Sequence, residues 1–133
     1  MDVMIDTNII ISAALFPNER MNCFLEALSQ KHRLFLCSYS LNELERVVRR
    51  KWKERLIHID LFLQKLQYTL IYTPSVNILD VDIIIRDETD YPILASAIIA
   101  DVDVFITGDK DFSELILERP EILTITEFER KYL

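Results

Sequence analysis

The sequence predicts an α/β fold in which a parallel sheet is covered by helices on both faces. Short apolar runs recur along the chain at Val3-Met4-Ile5, Leu34-Phe35-Leu36, Leu70-Ile71-Tyr72, Val104-Phe105-Ile106 and Leu123-Thr124-Ile125. Most are apolar at consecutive positions, the pattern of strands buried on both faces. Segments with apolar residues at helical spacing separate them, as in βαβ units. A chain of 133 residues that is 50% hydrophobic fits one domain with a full core, so residues 1–133 are assigned to a single domain.

The first strand ends at Asp6-Thr7-Asn8, and an apolar segment over 9–15 stops before Pro17. Asp6 has two readings. It is a cap for the segment that follows, since Asp, Thr and Asn all accept from helical N–H groups, or it carries chemistry at the end of a central strand. A helix over 19–30 follows, with Cys23, Phe24, Ala27 and Leu28 on its buried side. After the second strand, Ser40-Leu41-Asn42-Glu43 has the spacing of a capping box, which gives Glu43 a structural reading. That helix continues through Leu44, Val47 and Val48 and carries Arg46, Arg49, Arg50, Lys51, Lys53 and Arg55, the one basic concentration in the chain. Such a run is either a solvated face or a contact for a polyanion. Trp52 within it reads as a packing residue.

Leu56, Ile59, Phe62, Leu63 and Leu66 mark an amphipathic helix. His58 has no histidine or cysteine partner nearby and reads as structural. Pro74 closes the third strand, and periodicity assigns no type to the apolar segment over 75–86. Residues 87–112 then form the unit around which the chain is organised. Asp90 is placed to cap a helix, with Pro92 tolerated in its first turn. Asp87 lies three residues earlier, but the apolar helix starts after Asp90. Ile93, Leu94, Ala97, Ile98 and Ala100 recur near the helical period, and the strand Val104-Phe105-Ile106 leads to Thr107-Gly108-Asp109. Gly108 is the only glycine in the chain and predicts a backbone position needing positive φ or close approach. A short helix over 112–117 ends before Pro120, and the residues from 127 onward form a last helical turn or two.

Fifteen basic against 22 acidic side chains give a formal charge of −7, which argues against binding nucleic acid or anionic membrane by bulk charge. A polyanion then needs a local basic patch or a metal. Two scattered cysteines, Cys23 and Cys37, make no disulfide framework and indicate a reducing cytosol. No apolar run has the length of a membrane span, and an acid at position two does not suit an export signal, so the expected location is cytoplasmic, with no membrane partner.

In a parallel sheet, Asp6 and Asp109 end neighbouring or near-neighbouring strands, while Asp90 and Glu43 begin helices, an order that allows all four to converge on one edge. Carboxylates gathered without histidine or cysteine suit hard cations, Mg2+ or Mn2+, and such ions act on phosphate esters. Asp6-Thr7-Asn8, Leu41-Asn42-Glu43-Leu44, Asp90 opening an apolar helix, and Thr107-Gly108-Asp109-Lys110-Asp111-Phe112 together resemble the PIN domain, with order and spacing that fit the whole chain. The resemblance is closest to the short, single-domain VapC-like toxins of toxin-antitoxin pairs. It implies a Rossmann-like three-layer α/β/α fold with a central parallel sheet of about five strands. It also implies an acidic Mg2+ or Mn2+ site that cleaves single-stranded RNA.

Carried over by position, the catalytic and metal-binding residues are Asp6, Glu43, Asp90 and Asp109. Thr7 and Asn8 orient Asp6, Thr107 supports the second acidic turn, and Asp111 either assists or caps the next helix. The resemblance implies a cognate antitoxin, and the high apolar fraction predicts a covered surface, with a homodimer or higher oligomer. Arg46, Arg49, Arg50 and Lys53 are the candidate contacts to RNA phosphates. A haloacid-dehalogenase-like phosphatase is the first alternative, but it carries a second aspartate two residues after the first, where this chain has Asn8. A phosphoacceptor receiver domain carries paired acids at the first strand and a lysine after its last, and neither arrangement is evident. A PIN-like module that binds RNA or protein without cutting is the remaining alternative, which a complete set of four acids disfavours.

Overall fold

The computed structural model describes residues 1–74, 91–113, 115 and 117–133. The apolar segment over 75–86, Asp87 and Asp90 lie outside them. The elements run β1 (Asp2–Ile5), α1 (Thr7–Leu15), α2 (Glu19–Lys31), β2 (Arg33–Cys37), α3 (Ser38–Lys51), a 3-10 turn (Lys53–Arg55), α4 (Leu56–Lys65), β3 (Thr69–Ile71), α5 (Tyr91–Ile99), β4 (Val104–Ile106), α6 (Lys110–Ser113), β5 (Glu121–Leu123) and α7 (Ile125–Tyr132). The five strands form one sheet in the order β3-β2-β1-β4-β5. Every adjacent pair is parallel. The Rossmann-like three-layer arrangement is therefore present.

Side-chain alternation divides the core in two. Val3, Ile5, Leu34, Leu36, Val104 and Ile106 face one layer, packed with Ile10 of α1, Leu28 of α2, Val48 of α3 and Phe128 of α7. Met4 and Phe105 face the other layer, with Ile93, Leu94 and Ala97 of α5 and Phe112 of α6. The period of two along a strand makes this unavoidable once both faces are covered. Among the described residues no helix is long and apolar enough to cross a membrane.

Several local expectations are corrected. Ser40 and Glu43 form no capping box: α3 starts at Ser38, the Cys37 side chain caps none of its backbone amides, and Ser40 is buried inside the helix, where its hydroxyl accepts from Cys37 Sγ at 3.3 Å. The box forms instead at α7, where the Thr124 hydroxyl accepts from the Glu127 amide and Glu127 Oε1 accepts from the Thr124 amide, each at 3.1 Å. That capping ends β5 at Leu123, two residues before the expected end of the last strand. Gly108 has no positive φ, and a Cβ placed there meets nothing within 4 Å, so neither conformation nor crowding demands glycine. Positive φ falls on Asp101 instead, at 55°. Cys23 is exposed, and Leu25 takes the place assigned to it on the buried side of α2. The short helix after β4 begins at Lys110 and ends at Ser113, earlier than the expected 112–117.

Thr124→Ala should remove the α7 box and cost roughly 1 kcal/mol in chemical denaturation. Glu127→Gln, which can still reach the Thr124 amide, should stay near the parent. Equal losses in the two variants would show that Glu127 acts by charge rather than by capping.

Candidate active site

The strand order reverses direction at β1: the chain goes from β1 outward to β2 on one side and later returns to β4 on the other. In open α/β sheets the crevice at the carboxyl ends of such strands is where ligands bind. Asp6 follows β1 directly and Asp109 is the third residue after β4. The paired positions Ile5 and Ile106 bring these two turns side by side.

Asp6 is both cap and functional candidate. Only 5% of its surface is exposed. Its Oδ1 accepts from the Thr7 amide at 2.7 Å, opening α1, and its Oδ2 accepts from the Thr107 hydroxyl at 2.7 Å. The Thr107 oxygen in turn accepts from the Asp109 amide at 3.1 Å. One buried hydroxyl thus joins the two acidic turns. Asp109 caps the turn that follows, its Oδ1 accepting from the Asp111 amide at 2.9 Å. Asp111 sits in the first turn of α6, and the capping it was a candidate for is performed by Asp109.

Glu43 comes from the interior of α3, one position before buried Leu44. It lines a cavity of about 310 Å³ together with Asp6, Thr7, Asn8, Ile11, Val47, Arg50, Lys51 and Asp109. Three of the four sequence-predicted acids are therefore brought to one cavity, and the fourth, Asp90, lies outside the described residues. A larger cavity of about 520 Å³ between α2 and α4 draws no residue from the turns after β1 and β4.

The electrostatics of Asp6 follow from this placement. Burial raises its pKa above the usual carboxylate value. The Thr107 hydroxyl and Thr7 amide pull it down, and the charges of Glu43 and Asp109 push it up again. The net direction is upward, as expected where desolvation and like charges outweigh hydrogen bonds. Thr7 Oγ1, in the same wall, is buried without a hydrogen-bond partner. Among the described residues no group of three or more His, Cys, Asp or Glu side chains is gathered tightly enough to hold a metal ion as it stands. The chemistry of the wall still fits a hard cation, because the donors are all oxygen, two carboxylates face a third that burial makes costly to ionise, and one hydroxyl lacks a partner.

The basic residues divide. Arg46 Nη2 lies 4.0 Å from Glu43, and Arg49 is paired with Glu45 at 2.9 Å. Lys53 is exposed in the 3-10 turn. Arg55 donates to the Leu15 carbonyl at 3.0 Å and lies over Phe16. Trp52 packs edge-on to Phe16, which confirms it as a packing residue. Arg50 reaches the cavity, and so does Lys51, which sequence reasoning left out of the RNA-contacting set. The signal that could have found Lys51 is helical spacing, since it lies eight positions after Glu43 and so on the same face of α3.

A group whose folded pKa is raised stabilises the fold below its unfolded pKa, and that contribution is lost as pH rises through the folded value. The metal-free protein should therefore lose stability as pH rises through the elevated Asp6 pKa. In Asp6→Asn that part of the pH dependence should vanish, so that the variant gains on the parent with rising pH in melting measurements under EDTA. Parallel pH profiles would sink this account of Asp6.

Comparison with known proteins agrees with the fold. Comparison with curated proteins finds no match. The structure is similar to that of VapBC2 from Rickettsia felis bound to a DNA fragment from their promoter, with a TM-score of 0.70 and 21% identity over 92% of this chain and 97% of that one. It is also similar to VapC20 of Mycobacterium tuberculosis, a Sarcin-Ricin loop cleaving toxin, with a TM-score of 0.54 and 9% identity over 86% of this chain and 96% of that one. At these identities the likeness establishes the fold. The PIN domain family model matches residues 2–111, a span that holds both acidic turns and all of α3, and the chain belongs to the PIN domain family.

Proposed function

We propose that this protein is a Mg2+- or Mn2+-dependent endoribonuclease that cleaves single-stranded RNA in the cytoplasm, as the toxin of a toxin-antitoxin pair. The observation that carries the proposal is the cavity at the sheet's switch point, where Glu43 and Asp109 act electrostatically on a buried Asp6. Membership in the PIN family supports it, as does likeness to a toxin described as cleaving the sarcin-ricin loop. A cognate antitoxin and a second copy of the chain are the proposed protein partners.

Asp6, Glu43, Asp90 and Asp109 would hold the cation, with Thr7, Asn8 and Thr107 setting the orientation of the two acidic turns. When bound, Mg2+ or Mn2+ supplies Lewis acidity toward phosphoryl oxygens and acidifies water. The protein itself contributes position. Two hydrogen bonds fix both oxygens of Asp6, and Thr107 ties the Asp109 turn to the same point. No side chain of the cavity is needed as a covalent nucleophile. Arg46, Arg49, Arg50 and Lys53, at the end of α3 and beyond, are the proposed contacts to RNA phosphates, offsetting the chain's net charge of −7.

Cleavage of a single-stranded RNA should require Mg2+ or Mn2+ and stop in EDTA, and either ion should raise the melting temperature by linkage. Glu43 caps no helix, so Glu43→Gln should leave the metal-free melting temperature close to the parent. The same variant should lose the metal response and reduce cleavage by orders of magnitude, because the amide lacks the charge that binds a hard cation. A Glu43→Gln protein that cuts RNA as the parent does would overturn the site. Hydrolysis of a generic phosphomonoester with RNA left intact would overturn the reaction.

A further inference from the structure

The cavity wall carries both signs of charge. Arg50 and Lys51, consecutive at the carboxyl end of α3, line the same cavity as Asp6, Glu43 and Asp109. Neither is paired with an acid: among the described residues, Arg46 is matched to Glu43 and Arg49 to Glu45, while no ion pair holds Arg50 or Lys51. Lys51 is instead held over the Trp52 ring, its Nζ 5.9 Å from the centroid. A cation–π contact of this kind orients an ammonium without neutralising it. Trp52 is itself braced by Phe16.

Both cations are exposed at the wall of an acidic cavity and are available to an incoming anion. An RNA phosphodiester that enters this space brings another negative charge toward carboxylates that already repel one another. Arginine meets phosphate through a planar fork of donors, and lysine as a compact point charge. From this juxtaposition we propose that Arg50 and Lys51 form a clamp for one phosphodiester of the substrate, the one lying against the acids of the cavity. They act as positioning residues at the site of cleavage, distinct from contacts made along the rest of the RNA backbone. The clamp has a second consequence. Its charge would oppose metal occupancy while no RNA is bound, since both cations line the cavity that holds Asp6, Glu43 and Asp109.

The inference rests on the ribonuclease reading, and the experiment separates the two. Binding of a single-stranded RNA oligonucleotide is measured in EDTA as a function of salt, and cleavage of the same RNA is measured in Mg2+. Arg50→Gln and Lys51→Gln should each weaken metal-free binding and reduce the salt slope by about 0.7 unit, the contribution of one phosphate contact on a single strand. Lys51→Arg should keep the slope. Lys65→Gln, on α4 and outside the cavity, changes net charge equally and should change neither binding nor slope. In the absence of RNA, the Arg50→Gln/Lys51→Gln double variant should reach half its Mg2+-induced melting shift at a lower Mg2+ concentration than the parent. A parent that cleaves RNA but shows no metal-free binding, or the same slope in the variants, overturns the clamp alone. A parent that neither binds nor cleaves RNA overturns the clamp and the ribonuclease reading together.

Discussion

The carboxylate of Asp6 is the constraint on which the rest of this structure depends. A charge at the end of the central strand, almost wholly withdrawn from water, is costly unless its oxygens are satisfied. The fold answers with one backbone amide and one hydroxyl, and each answer commits a different part of the chain. The amide belongs to the start of α1, so the helix must begin immediately after β1. The hydroxyl belongs to Thr107, so β4 must lie beside β1 and end level with it. Neither bond cancels the burial, and the group remains harder to ionise than an ordinary aspartate.

Around that point the two kinds of capping serve different ends. At α7 a reciprocal box between Thr124 and Glu127 satisfies one amide from each of the two residues. At α1 and α6, single aspartates hold the turn through one oxygen. The second oxygen of Asp6 goes to a neighbouring turn, which is why the same residue can be structural and face a cavity. At Asp6 the capping reading holds, and the same residue lines the cavity. At Glu43 the pattern misled, because serine and glutamate three apart occur inside helices as well as at their starts. The burial of Ser40 shows that this helix had already begun.

Much of the architecture was legible because continuous apolar triplets leave few alternatives. The run Val104–Ile106 is a strand with the expected bounds, and consecutive apolar residues in β1 and β2 announced a sheet covered on both faces. The two acidic turns were legible for the same reason, since each ends such a run. Boundaries set by capping were not, as the early end of β5 shows. The lone glycine was misread because rarity is not geometry: Gly108 occupies an open position with ordinary φ. Cys23 was assigned to the core by apolarity, yet one step around the helix separates it from the buried Phe24. Lys51 was legible too: Glu43, Val47, Arg50 and Lys51 fall at i, i+4, i+7 and i+8 of one helix, so the face that carries Glu43 also carries Lys51.

At the opposite edge of the sheet, Asp2 is paired with Arg33 at 2.6 Å, the Asp2 amide donates to Asp103 at 2.8 Å, and Arg119 holds Asp103 at 2.6 Å. These contacts join the starts of β1, β2 and β4, the same strands whose far ends lead to the cavity. A slip of one residue in any of these pairings would exchange the two faces of a strand and move its terminal turn by about 3.3 Å. That distance exceeds the length of the hydrogen bonds between Thr107 and its two neighbours. The ion pairs on the far rim thus add to the register that the two buried faces impose, and do so a full strand length from the cavity, through residues that line no part of it.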